Sequence, residues 1–375
     1  MSMMLEKDKL FSLVQSDSIA ELDDRSLVEL FVAEEAVRNH APDGKWERDP
    51  RTGDVVVYNA ARARRPHDNK GHDRENSPGT VKVYRGSKSC VICQGNTTGI
   101  VDVTPLSKGF TFINKNMFPA LFPNEFFLSL SPEKSATFPD ENVKLVGGFH
   151  FLQWTSSEHD KDWHNLSVED CTVVMKRLAA LEERLFRFRN PEGKREEFYP
   201  VIIKNYGREV GGSLSHGHQQ ILLSNVMPRF FVDDLKFADR HGEFFSEFLQ
   251  RENPGELLVR DYETAVLLVP FFMKRPYEMM LLIKNTDKAY IHQLEEEEIK
   301  AVAEGWHDAM GAIIEVMNGM GKQPAFNVIT HNGSGAGLYF EFLPYTQAMG
   351  GLEKLGFYIC EAEPASVADT LRNIL

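Results

Sequence analysis

Twice along this chain a strand-like run leads into an amphipathic helix, followed by a strand, a glycine-rich turn and another strand. The first instance begins with Gly148–Trp154. Leu166-Ser167-Val168-Glu169-Asp170 then opens a helix reaching Leu185, and residues 201–205 precede Gly207, Gly211 and Gly212. In the second, 276–283 leads to 294–298 and a helix reaching Val316; then come 326–330, Gly333, Gly335 and Gly337, and 338–344. Strands and helices in this order predict an α+β fold of two tandem units, each an antiparallel sheet with helices on one face. The chain of 375 residues is long enough for both. The expected division is an N-terminal helical extension over 1–40, a first unit over 41–225 and a second over 226–375. In the extension Leu27, Leu30, Phe31 and Val37 recur at helical spacing, with Glu34 interrupting the stripe.

The two units are not chemically equal. Residues 205–221 of the first combine glycines, Ser213, His216, His218 and Gln220. In an extended strand, residues two apart point to one face, so His216, His218 and Gln220 form a row. Imidazole near neutral pH can serve as nucleophile, base or metal ligand. The glycines allow close approach of a ligand and offer backbone amides to an anion. A histidine pair on a strand is also met as a surface or satisfied core feature, but the surrounding glycines, Ser213 and Gln220 favour a site. In the second unit Tyr339 and Glu341 take the places of His216 and His218, which leaves one working site per chain.

Cys90-Val91-Ile92-Cys93 can grip a tetrahedral zinc, or act as a redox pair, though no thioredoxin-like context surrounds it. His159 and His216 would complete a Cys₂His₂ set. Cys171 and Cys360 are isolated and read as ordinary buried thiols. Arg62, Arg64 and Arg65 form either a solvated loop or a phosphate clamp, since guanidinium matches phosphate oxygens in pairs. Residues 67–80 are polar and read as a mobile loop.

A net charge of −13 argues against sequence-independent nucleic-acid binding, which rests on Lys and Arg neutralising phosphates. The longest apolar stretch, 265–273, is broken by Pro270 and too short to span a bilayer. No signal-peptide core opens the chain, and a cytoplasmic, membrane-free protein is expected.

Five ordered motifs carry a family resemblance. They are Asp49-Pro50, Thr52-Gly53, Arg62 and Arg65-Pro66; Cys90 through Asn96; Asn116 through Leu121; Gly148, His150, Ser156 and His159; and Asn205, Gly207, Gly211, Ser213, His216, His218 and Gln220. In these the chain resembles the galactose-1-phosphate uridylyltransferase branch of the histidine-triad superfamily, from about residue 45 onward. The resemblance implies two tandem histidine-triad-like domains and one structural Zn²⁺ on Cys90, Cys93, His159 and His216. It makes His218 the nucleophile, with Ser213, Gln220, Asn205 and the Gly211 and Gly212 amides as donors to phosphate oxygens. Arg62, Arg65 and Asn116 join the substrate-binding set.

The implied reaction moves a nucleoside monophosphate from a nucleotide sugar to a sugar 1-phosphate through a nucleotidyl-histidine. The alternatives are a phosphorylase that uses inorganic phosphate, with ADP-glucose or a dinucleoside polyphosphate as donor, and an inactive nucleotide-binding protein. A homodimer is implied by analogy. Three departures stand out. Gly217 replaces a proline and should leave the loop less rigid. Tyr339-x-Glu341 replaces a second His-x-His, so no second metal is expected. Gly356-Phe357-Tyr358 has tyrosine where a sugar-binding acid is usual.

Overall fold

A computed structural model describes residues 9–66, 90–123, 145–188, 198–333 and 335–375. The polar loop at 67–80 lies outside the described residues. A small hairpin pairs β1 (Trp46–Arg48) with β2 (Val55–Val57). The first half of the main sheet contains β3 (Ile100–Pro105), β4 (Phe110–Lys115), β5 (Gly148–Trp154), β6 (Tyr199–Tyr206) and β7 (His218–Ser224). The second contains β8 (Leu258–Asp261), β9 (Ala265–Leu268), β10 (Met279–Ile283), β11 (Phe326–His331) and β12 (Tyr339–Pro344). All ten form one antiparallel sheet in the order β3-β4-β5-β7-β6-β11-β12-β10-β9-β8.

Read from either edge to the centre, the two halves have the same order of strands. They meet at β6 and β11, where Asn205 faces Asn327 and Ile203 faces Ile329. His218 opens β7 as Tyr339 opens β12. By strand position, Tyr339 and Glu341 therefore match His218 and Gln220, two residues from the pairing with His216 and His218 that the sequence suggested. The turns before the two strands differ in length, so a faint repeat cannot set that register.

One face of the sheet is covered by two long helices that pack on each other, Val168–Phe186 and Glu296–Gly319. The first begins at Ser167, whose side chain accepts the Asp170 N–H, with Glu169 and Asp170 in its first turn. It buries Cys171, Val174, Met175, Leu178, Leu181 and Leu185, the i, i+3, i+4, i+7 stripe of an amphipathic helix. The second buries Val302, Trp306, Met310, Ile313 and Met317, with Trp306 meeting Phe340 and Phe342 of β12.

The expectation of helices on one face only does not hold in the second half. Helices Arg229–His241 and Phe245–Glu252 cover the opposite face there, Leu249 packing with Leu268, Met280, Leu282 and Tyr339. The reason is in the strands: all five residues of β10 are buried, so both faces need an apolar cover.

Near the N-terminus, helix Asp24–Ala33 packs on the long-helix face through Leu27 and Phe31, and Phe31 meets Phe149 and Phe151 of β5. Glu34, the break in its stripe, accepts the Gly99 N–H at 3.1 Å and pairs with the buried Lys115 ammonium at 3.3 Å. Gln15 accepts from the same ammonium at 2.6 Å. The acid is thus an internal partner of a buried cation rather than a flaw in the helix. Cys171 is buried as expected, whereas Cys360 is only half-buried.

Candidate active site

The segment 90–96 folds into a tight turn in which Gln94 N–H donates to Cys90 C=O and Asn96 N–H to Val91 C=O. Gly95 closes it at φ +73°, a left-handed conformation that glycine adopts without strain. Both thiols then face His159, just beyond β5, and His216, just before β7. Cys90 Sγ lies 3.7 Å from His216 Nδ1, Cys93 Sγ 3.6 Å from the same atom, and Cys93 Sγ 3.6 Å from His159 Nδ1. All four donor atoms fall within 4.8 Å of one another.

This spacing can be tested against a metal. Zinc bonds of about 2.3 Å to sulfur and 2.05 Å to nitrogen, at a tetrahedral angle, separate S and N by about 3.6 Å. The observed separations agree. The outer nitrogen of His216 supports the same reading, since Nε2–H donates to Ser156 C=O at 2.7 Å and turns the Nδ1 lone pair toward the thiols. The four residues therefore fit one tetrahedral ion.

Two residues on, His218 is buried and its Nδ1 lies 2.8 Å from the His216 carbonyl. A carbonyl only accepts, so Nδ1 carries the proton and Nε2 is left with a free lone pair. Burial lowers the His218 pKa to about 4, which keeps the ring neutral at pH 7. Its ring is 4.8 Å from that of Trp154, its partner across the β5–β7 ladder.

His218 forms part of the wall of a cavity of about 250 Å³. Of the expected site residues, Arg62, Arg65, Asn116, Ser213 and Gln220 line it with His218; Val91, Ile92, Leu152, Trp154 and Leu214 supply its apolar wall. Arg62 is placed by a 3-10 turn, Ala60–Arg64, capped by the Asn59 side chain, and donates to Phe118 C=O at 2.7 Å. Burial, and then the neighbouring Arg65, lower its pKa to about 10, so it remains a cation.

Asn205, Gly211 and Gly212 are not among the residues lining the cavity. The Gly211 and Gly212 amides donate instead to Arg208 C=O and Gly207 C=O, at 3.1 and 2.9 Å. Those bonds hold the turn, so both amides, expected as donors to phosphate oxygens, are hydrogen-bonded within it. Asn205 Oδ1 accepts from Asn327 Nδ2 at 2.7 Å across the join between the halves.

The structure also gives a role to His150, which in the sequence is only a motif position. Ala120 N–H donates to His150 Nδ1 at 2.8 Å, so Nε2 bears the proton and donates to Gln220 Oε1 at 3.1 Å. This points the Gln220 NH₂ group away from His150 as a donor. Burial, then Arg62, hold the His150 pKa well below its usual value. The signal available in the sequence was its alternation with Phe149 and Phe151, a polar residue set between two apolar ones.

Among the described residues no helix is long and apolar enough to cross a membrane. No protein-family model matches the chain. An ADP-glucose phosphorylase of Arabidopsis thaliana is 25% identical over 362 residues, which span 91% of this chain and 95% of that protein. A solved uridylyltransferase structure superposes with a TM-score of 0.63 at 17% identity, covering 88% of this chain and 97% of the other. The crystal structure of an Arabidopsis thaliana ADP-glucose phosphorylase with bound ADP-glucose gives 0.60 at 16% identity, covering 88% and 98%. At such identities the structural likenesses speak for the fold alone, a mixed one built on a large antiparallel sheet.

Proposed function

We propose that the chain is a member of the galactose-1-phosphate uridylyltransferase-like branch of the histidine-triad superfamily, and that it transfers a nucleotidyl group from a nucleotide sugar through a covalent adduct on His218. The observation that carries this reading is the His218 ring itself. It is neutral, its Nδ1–H is spent on the His216 carbonyl, and its Nε2 is left for a cavity bearing two guanidinium groups.

In the first step Nε2 attacks the α-phosphorus and the bond to the sugar 1-phosphate oxygen breaks. The sugar 1-phosphate departs and a P–N adduct remains. In the second step an acceptor phosphate oxygen attacks the same phosphorus, the P–N bond breaks and the imidazole is restored. A neutral imidazole needs no prior deprotonation, which suits it to this role. Arg62 and Arg65 would balance charge on the diphosphate, and Gln220 and Ser213 would donate to the non-bridging oxygens as charge builds there. Cys90, Cys93, His159 and His216 would hold one structural Zn²⁺, which fixes the turn ahead of His218 when bound.

Two acceptors are compatible with this chemistry. Inorganic phosphate is favoured by the ADP-glucose phosphorylase that aligns along 91% of the chain, and by the tyrosine at 358, where a carboxylate would suit sugar hydroxyls. The donor would then be ADP-glucose and the products glucose 1-phosphate and ADP. A sugar 1-phosphate acceptor is the second reading, consistent with the uridylyltransferase fold. Steady-state assays with ADP-glucose and either phosphate or a panel of sugar 1-phosphates decide between them: phosphate-dependent turnover is expected, and turnover only with a sugar phosphate would reverse the choice. We further propose that residues 41–225 and 226–375 are duplicated units, the first of them catalytic.

A further inference from the structure

Behind β7, on the face away from the cavity, lies a buried ion pair that the proposed chemistry does not use. Lys204 on β6 and Asp162 in the segment after β5 are 1% and 4% exposed. The Lys204 ammonium lies 2.9 Å from Asp162 Oδ1, 2.8 Å from Oδ2 and 3.1 Å from the His218 carbonyl. It thus makes three contacts, and one of them is with the backbone of His218. Asp162 Oδ1 also accepts from Trp163 N–H and Thr155 Oγ1, each at 2.9 Å.

The same carboxylate packs against Gly217. A Cβ at residue 217 would stand 2.5 Å from Asp162 Cγ and 2.8 Å from Oδ2, so a side chain fits there only if the acid moves. The Gly217 carbonyl is held in turn by Thr155 N–H at 3.0 Å. The turn between the two histidines, expected to be loose because it contains glycine, is therefore buried and gripped from behind. Stability alone is a weak reason for such an arrangement, since buried ion pairs can often be replaced by apolar side chains at little loss. Its contacts converge instead on the backbone of two adjacent residues, Gly217 and His218.

We propose that Lys204 and Asp162 are positioning residues for His218, clamping the Gly217–His218 backbone so that Nε2 is held in line with the scissile phosphate bond. The four thiol and imidazole donors fix the turn at its start, and the Lys204–Asp162 pair fixes it at its end. This inference rests on His218 being the nucleophile. A misplacement of about 1 Å can slow a reaction roughly 10²-fold, which sets the size of effect at stake.

The test compares wild type with Lys204→Met/Asp162→Asn, which removes both charges at similar volume, and with Gly217→Ala, which displaces the acid without altering any charge. Three quantities are measured: zinc per chain, affinity for ADP-glucose, and the single-turnover rate of adduct formation on His218 with saturating ADP-glucose. Both variants should keep zinc and ADP-glucose affinity within about twofold of wild type, and form the adduct roughly 10²-fold more slowly. A purely structural role would reduce the yield of folded protein while leaving the rate per zinc-loaded molecule unchanged. Wild-type rates in the folded variants overturn the inference and leave the reading of His218 intact. Should the double variant not fold, Gly217→Ala alone decides between the same two outcomes. Absence of any adduct in the wild type removes the His218 reading, and this inference falls with it.

Discussion

The two halves of the sheet have the same strand order, yet their matching faces hold opposite kinds of buried histidine. In the first half His218 borders an open cavity, its Nδ1–H donates to a backbone carbonyl, and burial lowers its pKa to about 4. In the second, helix Arg229–His241 covers the face and brings Asp234 to His331, 3.1 Å from Nδ1, while Glu341 stands 2.9 Å from Nε2. Burial alone would lower the His331 pKa, but the two carboxylates outweigh it and raise the value to about 9. Tyr339 stacks on that ring at 4.2 Å and donates to Asp234. One scaffold thus gives a neutral ring with a free lone pair and a charged ring locked as a cation. The difference comes from whether acids or a cavity face the imidazole, not from the sheet.

The sharpest way to break this contrast is to remove each histidine in turn. His218→Ala should lower turnover on the order of 10⁴-fold or more, as losing a nucleophile does. His331→Gln should leave turnover per folded molecule within about threefold, the usual scale away from the chemistry. Comparable loss from both, measured on folded protein, would mean that the division of labour is misread.

Next in size is the metal. Cys90→Ser, or extraction with a chelator, should remove zinc and lower stability by at least several kcal/mol, because metal binding is folding energy in a closed site. Elemental analysis and thermal melts check it; a protein that lacks zinc and melts unchanged contradicts the assignment. Gln220→Ala should slow the chemical step about 10²-fold with little change in ADP-glucose affinity, as read by single-turnover kinetics.

The smallest effect concerns pH and stability. The folded pKa of His331 lies above its ordinary value of 6.5, so its ion pairs stabilise the fold fully below about pH 6.5 and less as pH rises through about 9. The loss should be roughly 3 kcal/mol. Denaturant melts from pH 6 to 10 should show this decline in wild type, and His331→Gln should flatten it. A decline of equal size in the variant would place its origin elsewhere.

Much of this architecture was legible in the sequence because it rests on local periodicity. The strand at Gly148–Trp154 and the two long helices fall where alternation and helical spacing put them, and the Cys₂His₂ set meets as its motif spacing implied. What escaped depended on contacts distant in sequence. Glu34 looks like a fault in a stripe until Lys115, 81 positions on by number, is seen beside it. Gly217 reads as slack until Asp162 is found occupying the space a side chain would need. The Gly211 and Gly212 amides look free in a glycine-rich run, but the turn uses both for its own closure. Helices on both faces of the second half follow from β10 being buried throughout, a pattern that a short apolar run leaves ambiguous.

His218 is proposed to carry the nucleotidyl group between donor and acceptor. Wild-type protein is mixed with ADP-glucose in the absence of phosphate, quenched, digested and mapped by mass spectrometry. An acid-labile AMP adduct on His218 is expected, with one equivalent of glucose 1-phosphate released per chain. Release of glucose 1-phosphate only on adding phosphate, with His218 never modified, would contradict it and point to direct displacement.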